Sequence, residues 1–301
     1  MNSARPFRPK VCQAFTFYTE SASGLHVIAT ARNLSVLSDL ADKPGFTCLE
    51  LDVTKQSSID VCKGEVVKLT GGKLDILINN AGRTHTVPAT DLDIDDVRVT
   101  FEANVFGVMA MVKSFVHLLI PSKGLIINVS SAASMTPYVF ASAYCATKGA
   151  VNSYSRTLRQ ELRPFGVRVM VAEPGMVKTN INLKTDRMLL EGSLYTPIAD
   201  VYKWRLLFSK DASGSITAER YAKKLAADAL KPEWPLFLRG IFNMFGLCRP
   251  DWHYYGGLAR EVWFGSCIGE WLMDTVMYRM FKLGTLEVAL KKQEAEARKL
   301  K

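Results

Sequence analysis

A parallel α/β sheet covered on both faces is the fold class this sequence predicts, on three observations. Short β-rich apolar runs alternate with helical stretches from residue 25 to about residue 172. The runs are continuously apolar, as strands buried on both faces are. The helical stretches between them are long enough to carry crossovers from one parallel strand to the next.

Taken in order, the strands are "LHVIAT" (25–30), "FTCLELDV" (46–53), "KLDILINN" (73–80), "GLIINVSS" (124–131) and "GVRVMVAEPG" (166–175). The two longest helices are "DVRVTFEANVFGVMAMVKSFVHLL" (96–119) and "SAYCATKGAVNSYSRTLRQELRPF" (142–165). Pro164 and Gly166 close the second. After Thr179 the periodicity weakens, and residues 180–217 read as a mobile loop with short helices. "AERYAKKLAADAL" (218–230) is a helix and "PLFLRG" (235–240) reads as a last strand. Residues 241–288 are rich in Phe, Trp, Tyr, Met and Leu, and the tail "EVALKKQEAEARKLK" is a charged, solvated helix.

The N-terminal segment fits this scheme badly. "VCQAFTF" (11–17) also reads as a strand, which leaves seven residues, 18–24, before the next one. A parallel neighbour needs a crossover of about a dozen residues or more. The spacing therefore predicts an antiparallel hairpin, or a segment outside the sheet.

Composition bounds the function classes. With 301 residues, 48% hydrophobic and 22% charged, the chain is globular. Its net charge of +9 suits nucleic acid, an anionic membrane surface or a phosphorylated ligand. No compact Lys/Arg run with interleaved aromatics occurs, so nucleic acid is not expected. The six cysteines are scattered, without a CxxC pair or a Cys/His cluster, which predicts no zinc site and an intracellular setting. The opening "MNSARPFRPKVCQAFTF" lacks the apolar stretch and small-residue cleavage site of a signal peptide.

The chemical signal is "SAYCATKGA". Tyr144 and Lys148 stand at i and i+4, on one helix face. Ser131 lies thirteen residues before Tyr144, just past a strand, and Asn104 sits in the preceding long helix, in "NVFG". Ser130 is the alternative serine, and Cys145 reads as packing. Together with "NNAG" (79–82), "LDVT" (51–54), "INVSS" (127–131) and "PGMVKT" (174–179), this set resembles the short-chain dehydrogenase/reductase family over residues 25–180. The resemblance implies a Rossmann-type doubly wound parallel sheet, with residues 25–240 as catalytic domain and 180–217 as substrate loop. Residues 1–24 are then an atypical N-terminal segment, and 241–301 a helical hydrophobic C-terminal extension.

The resemblance also implies roles. Tyr144 is the proton donor to a carbonyl, and the Lys148 cation lowers a phenol pKa that is ordinarily near 10. Lys148 also holds the nicotinamide ribose, and Ser131 polarises the carbonyl. Asn104 holds a water that links Lys148 to solvent. The residue after the second family strand selects the dinucleotide. Here it is Arg32 in "ATARN", which favours the 2′-phosphate of NADP. Asp52 sits near the adenine, and Asn80, Ala81 and Gly82 line the adenosine side. Pro174, Gly175, Val177 and Thr179 contact the nicotinamide and pyrophosphate end.

One family feature is missing. The glycine-rich loop that cradles a pyrophosphate has no counterpart, because Gly24 is the sole glycine in residues 1–32. The expectation is that the first strand and its glycine-rich loop are missing or altered. A faulty gene model and a genuine loss of cofactor binding both account for this, and the intact tetrad favours the first. A genuine loss would make the chain a silent relative that binds a hydrophobic ligand or a membrane without turnover.

The C-terminal third adds a looser resemblance. "ERYAKKLAADAL", "LFLRGIF" and "MYRMFKLG" are similar to fungal reductases related to 1-acyldihydroxyacetone-phosphate reductase. That implies a lipid-like, hydrophobic or secondary-metabolite ketone. Charges interrupt the apolar runs of this third before the roughly 18 residues a spanning helix needs. "VWFGSCIGEWLMDTVMYRMF" (262–281) is expected to act as an interfacial anchor, to close the substrate pocket or to form a homo-oligomer contact. The expected location is cytoplasmic, or peripheral on the endoplasmic reticulum or lipid droplets.

Overall fold

The computed structural model describes residues 10–12, 25–178, 187–211, 214–232, 247 and 249–299, with side chains described from residue 25 onward except at 209–211. The elements are β1 (Lys10–Cys12), β2 (His26–Ala31), α1 (Ser38–Ala41), β3 (Phe46–Glu50), α2 (Gln56–Thr70), β4 (Ile76–Asn79), α3 (Ile94–Phe101), α4 (Gly107–Leu119), β5 (Leu125–Val129), α5 (Ser142–Leu162) and β6 (Arg168–Pro174). They continue with β7 (Val177–Lys178), α6 (Ala199–Asp211), β8 (Ile216–Thr217), α7 (Ala218–Ala229), β9 (Trp252–Tyr255), α8 (Ala259–Ile268), α9 (Glu270–Met280) and α10 (Gly284–Lys299).

Seven strands form one sheet in the order β3-β2-β1-β4-β5-β6-β9. Every pairing in it is parallel. The strand order reverses between β1 and β4, and a crevice opens there at the carboxyl ends of the strands. Side chains alternate between two apolar layers, as a period of two requires. Leu77, Ile126 and Val169 enter the layer built with Ile59, Met111, Phe115 and Leu158. Their neighbours Ile76, Ile78, Leu125, Ile127 and Met170 enter the opposite layer, with Tyr221 and Leu225 of α7. The span Ile94–Leu119 is long and apolar enough to cross a membrane by composition alone. Here Met111, Val112, Phe115 and Leu119 are buried against the sheet.

Two expectations are corrected. The N-terminal strand is Lys10–Cys12, and it pairs in parallel with β2 (Lys10 against His26) and with β4 (Val11 against Ile76). It is neither a hairpin arm nor missing. Between Cys12 and His26 lie thirteen positions rather than seven, which meets the length a parallel crossover needs. The position of a glycine loop falls on residues 13–24, outside the described ones. The boundary at residue 240 also moves. The strand next to β6 is Trp252–Tyr255, so the segment read as an extension completes the sheet. The expected last strand, 235–240, lies outside the described residues. The C-terminal strand is fastened by chemistry that periodicity does not show: buried His253 Nδ1 lies 3.0 Å from Asp228 Oδ2 on α7.

Candidate active site

Three segments carry the four residues: α5, the chain just past the end of β5 and the turn before α4. The α5 helix presents Tyr144 and Lys148 one turn apart, with Lys148 Nζ 5.7 Å from the centre of the Tyr144 ring. Nζ donates to the Val129 carbonyl at 2.9 Å, so the last residue of β5 fixes the lysine. Immediately beyond β5 the two serines separate. The Ser130 hydroxyl is buried and donates to the Lys148 carbonyl at 3.2 Å. Ser131 caps the short turn Ala132–Ser134, its Oγ accepting from Ala133 N–H at 3.2 Å, and it also hydrogen-bonds Tyr144. Position thus separates Ser131 from Ser130.

Asn104 lies in a π-helical turn, Glu102–Phe106, that joins α3 to α4. Such turns insert one extra residue and re-aim side chains at functional sites. Its Oδ1 accepts from Arg83 N–H at 2.8 Å, and its Nδ2 donates to Arg83 O and to Thr147 Oγ1, both at 3.0 Å. Asn104 therefore ties the NNAG segment to α5. A Cβ on Gly82 would stand 3.0 Å from Asn104 Oδ1 and 3.8 Å from Lys148 Nζ, so only glycine fits without displacement.

Tyr144, Lys148 and Ser131 share a cavity of about 640 Å³ with Asn80, Ala81, Gly82, Pro174, Gly175 and Val177. Thr179 lies outside the described residues. Arg32 follows β2 directly and is exposed. Its charge, after those of Thr54's hydrogen bonds and Lys55, helps hold the Asp52 carboxyl below its ordinary range against the opposing effect of burial. Asp52 also accepts from Thr54 N–H at 3.0 Å and Thr54 Oγ at 2.7 Å, which turns the chain into α2. Neither Arg32 nor Asp52 lines the cavity.

The electrostatics differ from expectation at one point. Burial pushes the Tyr144 phenol up, against the hydrogen bond from Ser131, and burial pulls Lys148 down to about 8. In this geometry desolvation outweighs the lysine's influence on the phenol. Sequence reasoning also missed a buried carboxyl behind the tetrad. Glu173, near the end of β6, is fully buried and accepts from Asn152 Nδ2 at 2.6 Å and from Ser134 Oγ at 3.2 Å. Burial raises its pKa to about 7, opposed by those hydrogen bonds, by Lys148 and by the Ser131 backbone. A lone glutamate in an apolar strand, "VAEPG", was the available signal.

Leu258, Val262, Met277 and Met280 also line the cavity, so the C-terminal helices close the pocket. Trp263, Phe264, Ile268 and Trp271 of the same helices stay exposed.

Strand order and pocket together define the doubly wound class of nucleotide-binding folds. Comparisons with known proteins agree. The family model for short chain dehydrogenase matches residues 16–189. An NADPH-dependent 1-acyldihydroxyacetone phosphate reductase of Schizosaccharomyces pombe is 44% identical over 258 residues, 84% of this chain and 80% of the relative. The short-chain dehydrogenase srdE of Neurospora crassa is 42% identical over 248 residues, 81% of this chain and 83% of the relative. A short-chain dehydrogenase from Streptomyces avermitilis has the same fold, with a TM-score of 0.70 at 22% identity, covering 99% of this chain and 100% of that one. The chain belongs to the short-chain dehydrogenase family, a family of oxidoreductases.

Proposed function

We propose that this chain is an NADPH-dependent reductase acting on the ketone of a hydrophobic, lipid-like or secondary-metabolite substrate, or oxidising the matching secondary alcohol. The observation that carries this is the convergence of Tyr144, Ser131 and Lys148 on one cavity that Leu258, Val262, Met277 and Met280 also line. The fission-yeast relative is an NADPH-dependent 1-acyldihydroxyacetone phosphate reductase, which favours the same cofactor and substrate type.

The residues present fit a nicotinamide cofactor on two counts. Gly82 keeps the wall beside Asn104 and Lys148 open where a Cβ would intrude. Lys148 and Lys178 supply cationic charge at the cavity, and no carboxylate is among its described lining residues. Asn80, Ala81, Gly82, Pro174, Gly175, Val177 and Thr179 would hold it, with Arg32 toward a 2′-phosphate and Asp52 toward the adenine. When bound it supplies the hydride for the carbonyl carbon.

The chain's own residues do the rest. Ser131 donates a hydrogen bond to the carbonyl oxygen and polarises it. Tyr144 gives its phenolic proton to that oxygen as charge develops there. Burial keeps the phenol protonated before the reaction, as a proton donor needs. Lys148, held by Val129, stands ready to stabilise the phenolate that remains. Asn104 keeps one Oδ1 lone pair for a solvent molecule that returns the proton through Lys148.

The test has two arms. NADPH and NADH are titrated against the full chain by nicotinamide fluorescence, and NADPH consumption is followed with a panel of hydrophobic ketones. Tight, NADPH-selective binding together with turnover that Tyr144→Phe lowers by about 10²-fold or more is the expected result. A folded chain that binds neither nucleotide overturns the proposal.

A further inference from the structure

Among the described residues, Arg205 is a buried cation with no carboxylate beside it. It is 2% exposed, on the inward face of α6 between Val201 and Phe208. Its Nε donates to the Val139 carbonyl at 2.9 Å. Its guanidinium carbon stands 3.7 Å from the centre of the Tyr138 ring and 5.1 Å from that of Phe281. Among the described residues this is its single hydrogen bond, and it has no ion pair. A guanidinium offers five N–H donors and stays protonated in proteins. Leaving such a charge dry and unpaired is costly unless something else neutralises it.

The side chain lines the cavity that holds Tyr144 and Ser131, in the company of Phe208, Val262, Met277 and Met280. Its immediate neighbours Tyr138, Val139 and Phe281 are none of the residues assigned to the cofactor. The other cations of the cavity are differently placed. Arg83 is neutralised by Asp96 at 2.7 Å, Lys148 is bonded to Val129, and Lys178 is exposed to solvent. The two aromatic rings and the Val139 carbonyl fix the guanidinium plane, so its remaining N–H edge has a defined direction.

We propose that Arg205 is an anion subsite for the substrate, which therefore carries a phosphate or carboxylate group next to an apolar chain. This rests on the ketone-reductase reading and narrows it from hydrophobic ketones in general to anionic amphiphiles. Carboxylates and phosphates both pair with a guanidinium through two parallel hydrogen bonds, which a neutral ketone cannot do.

The experiment measures binding of octyl phosphate, octanoate and octanol to the full chain by calorimetry, with and without NADP. It is repeated on Arg205→Met and Arg205→Lys. The wild type is expected to bind one or both anions at least tenfold more tightly than octanol. Arg205→Met should abolish that preference while octanol affinity stays within about twofold, and Arg205→Lys should keep part of it. Preference for octyl phosphate identifies a phosphate monoester, and preference for octanoate a carboxylate. Equal affinity of the wild type for all three probes overturns the proposal, as does an anion preference that survives Arg205→Met. Loss of octanol binding together with the anions in both variants overturns it too, because Arg205 then only pins α6 to the Tyr138 loop. A wild type that ignores NADP but prefers the anions sinks the reductase reading and leaves the subsite standing.

Discussion

Glu173 and Asn152 are joined inside the protein by a 2.6 Å hydrogen bond, from Nδ2 of the amide to one carboxylate oxygen. The pair braces β6 against α5 directly behind Tyr144 and Lys148. Asn152 also donates to Ser134 Oγ at 2.8 Å, so the turn that begins at Ser131 hangs on the same two side chains.

This brace makes stability depend on pH. The Glu173 carboxyl titrates near 7 when folded, against an ordinary value of 4.5. Between those values the folded chain binds more protons than the unfolded one, so stability falls as the pH rises through that window. Glu173→Gln should flatten this slope, by about 1–3 kcal/mol between pH 5 and pH 8. Thermal unfolding of both proteins at the two pH values checks it. A parallel pH slope in the variant would show that other groups set the dependence.

Lys148 makes a second pH prediction. With its pKa pulled down to about 8, the lysine loses its proton as the pH rises through that value. The proposed mechanism uses the cation, so kcat/KM for a ketone should decline above about pH 8, since kcat/KM reports the free enzyme. Lys148→Met should remove the decline and cost about 10²-fold or more in rate. Initial-rate profiles from pH 6 to 10 decide this.

Two glycines separate catalysis from folding. At Gly82 a Cβ would press on Asn104 Oδ1 at 3.0 Å, a side-chain atom of the site. Gly82→Ala should lower kcat/KM by about tenfold, the scale of a small misplacement at the chemistry, with little change in melting temperature. At Gly175 a Cβ would fall 2.1 Å from the Gly257 carbonyl oxygen, which is backbone. Gly175→Ala should destabilise the protein by about 2–4 kcal/mol, because the Met176–Gly257 bridge must open. Denaturant titrations and rates on both variants test the contrast.

Asp228 anchors the last strand. It accepts from Lys224 at 2.8 Å and meets Lys231 at 2.6 Å and His253 at 3.0 Å. Hydrogen bonds from His253, Lys224 and Lys231 hold its carboxyl below the ordinary range, although burial opposes them. A depressed carboxylate stabilises above its unfolded pKa of about 3.9, and that contribution is lost as the pH falls below it. Asp228→Ala should cost about 2–4 kcal/mol at pH 7, since buried His253 loses its partner. The cost should shrink at pH 3, and urea titrations at the two pH values measure both.

Much of this was legible in the chain itself. Strands at 46–53, 73–80, 124–131 and 166–175, the long helix bearing Tyr144 and Lys148, and the position of Ser131 after β5 follow from local periodicity and spacing. The N-terminal strand was misread because a run that begins at Val11 and reaches residue 17 leaves too short a crossover, whereas pairing with β2 already begins at Lys10. The edge strand Trp252–Tyr255 was missed because an aromatic run reads alike as strand, helix or loop until a neighbour such as β6 fixes it.

The sequence by itself determined the alternation of buried strands and crossover helices, and the placing of Tyr144 and Lys148 on one helix face. Those depend on neighbours three, four or a few dozen residues apart, which periodicity records. Tertiary structure alone decided that Glu173 lies dry behind the tetrad, that Arg205 faces the pocket from α6, and that Val262 and Met277 close it. Each of these joins residues with no shared period, and burial and charge acquire their values only when the packed chain excludes water from between them.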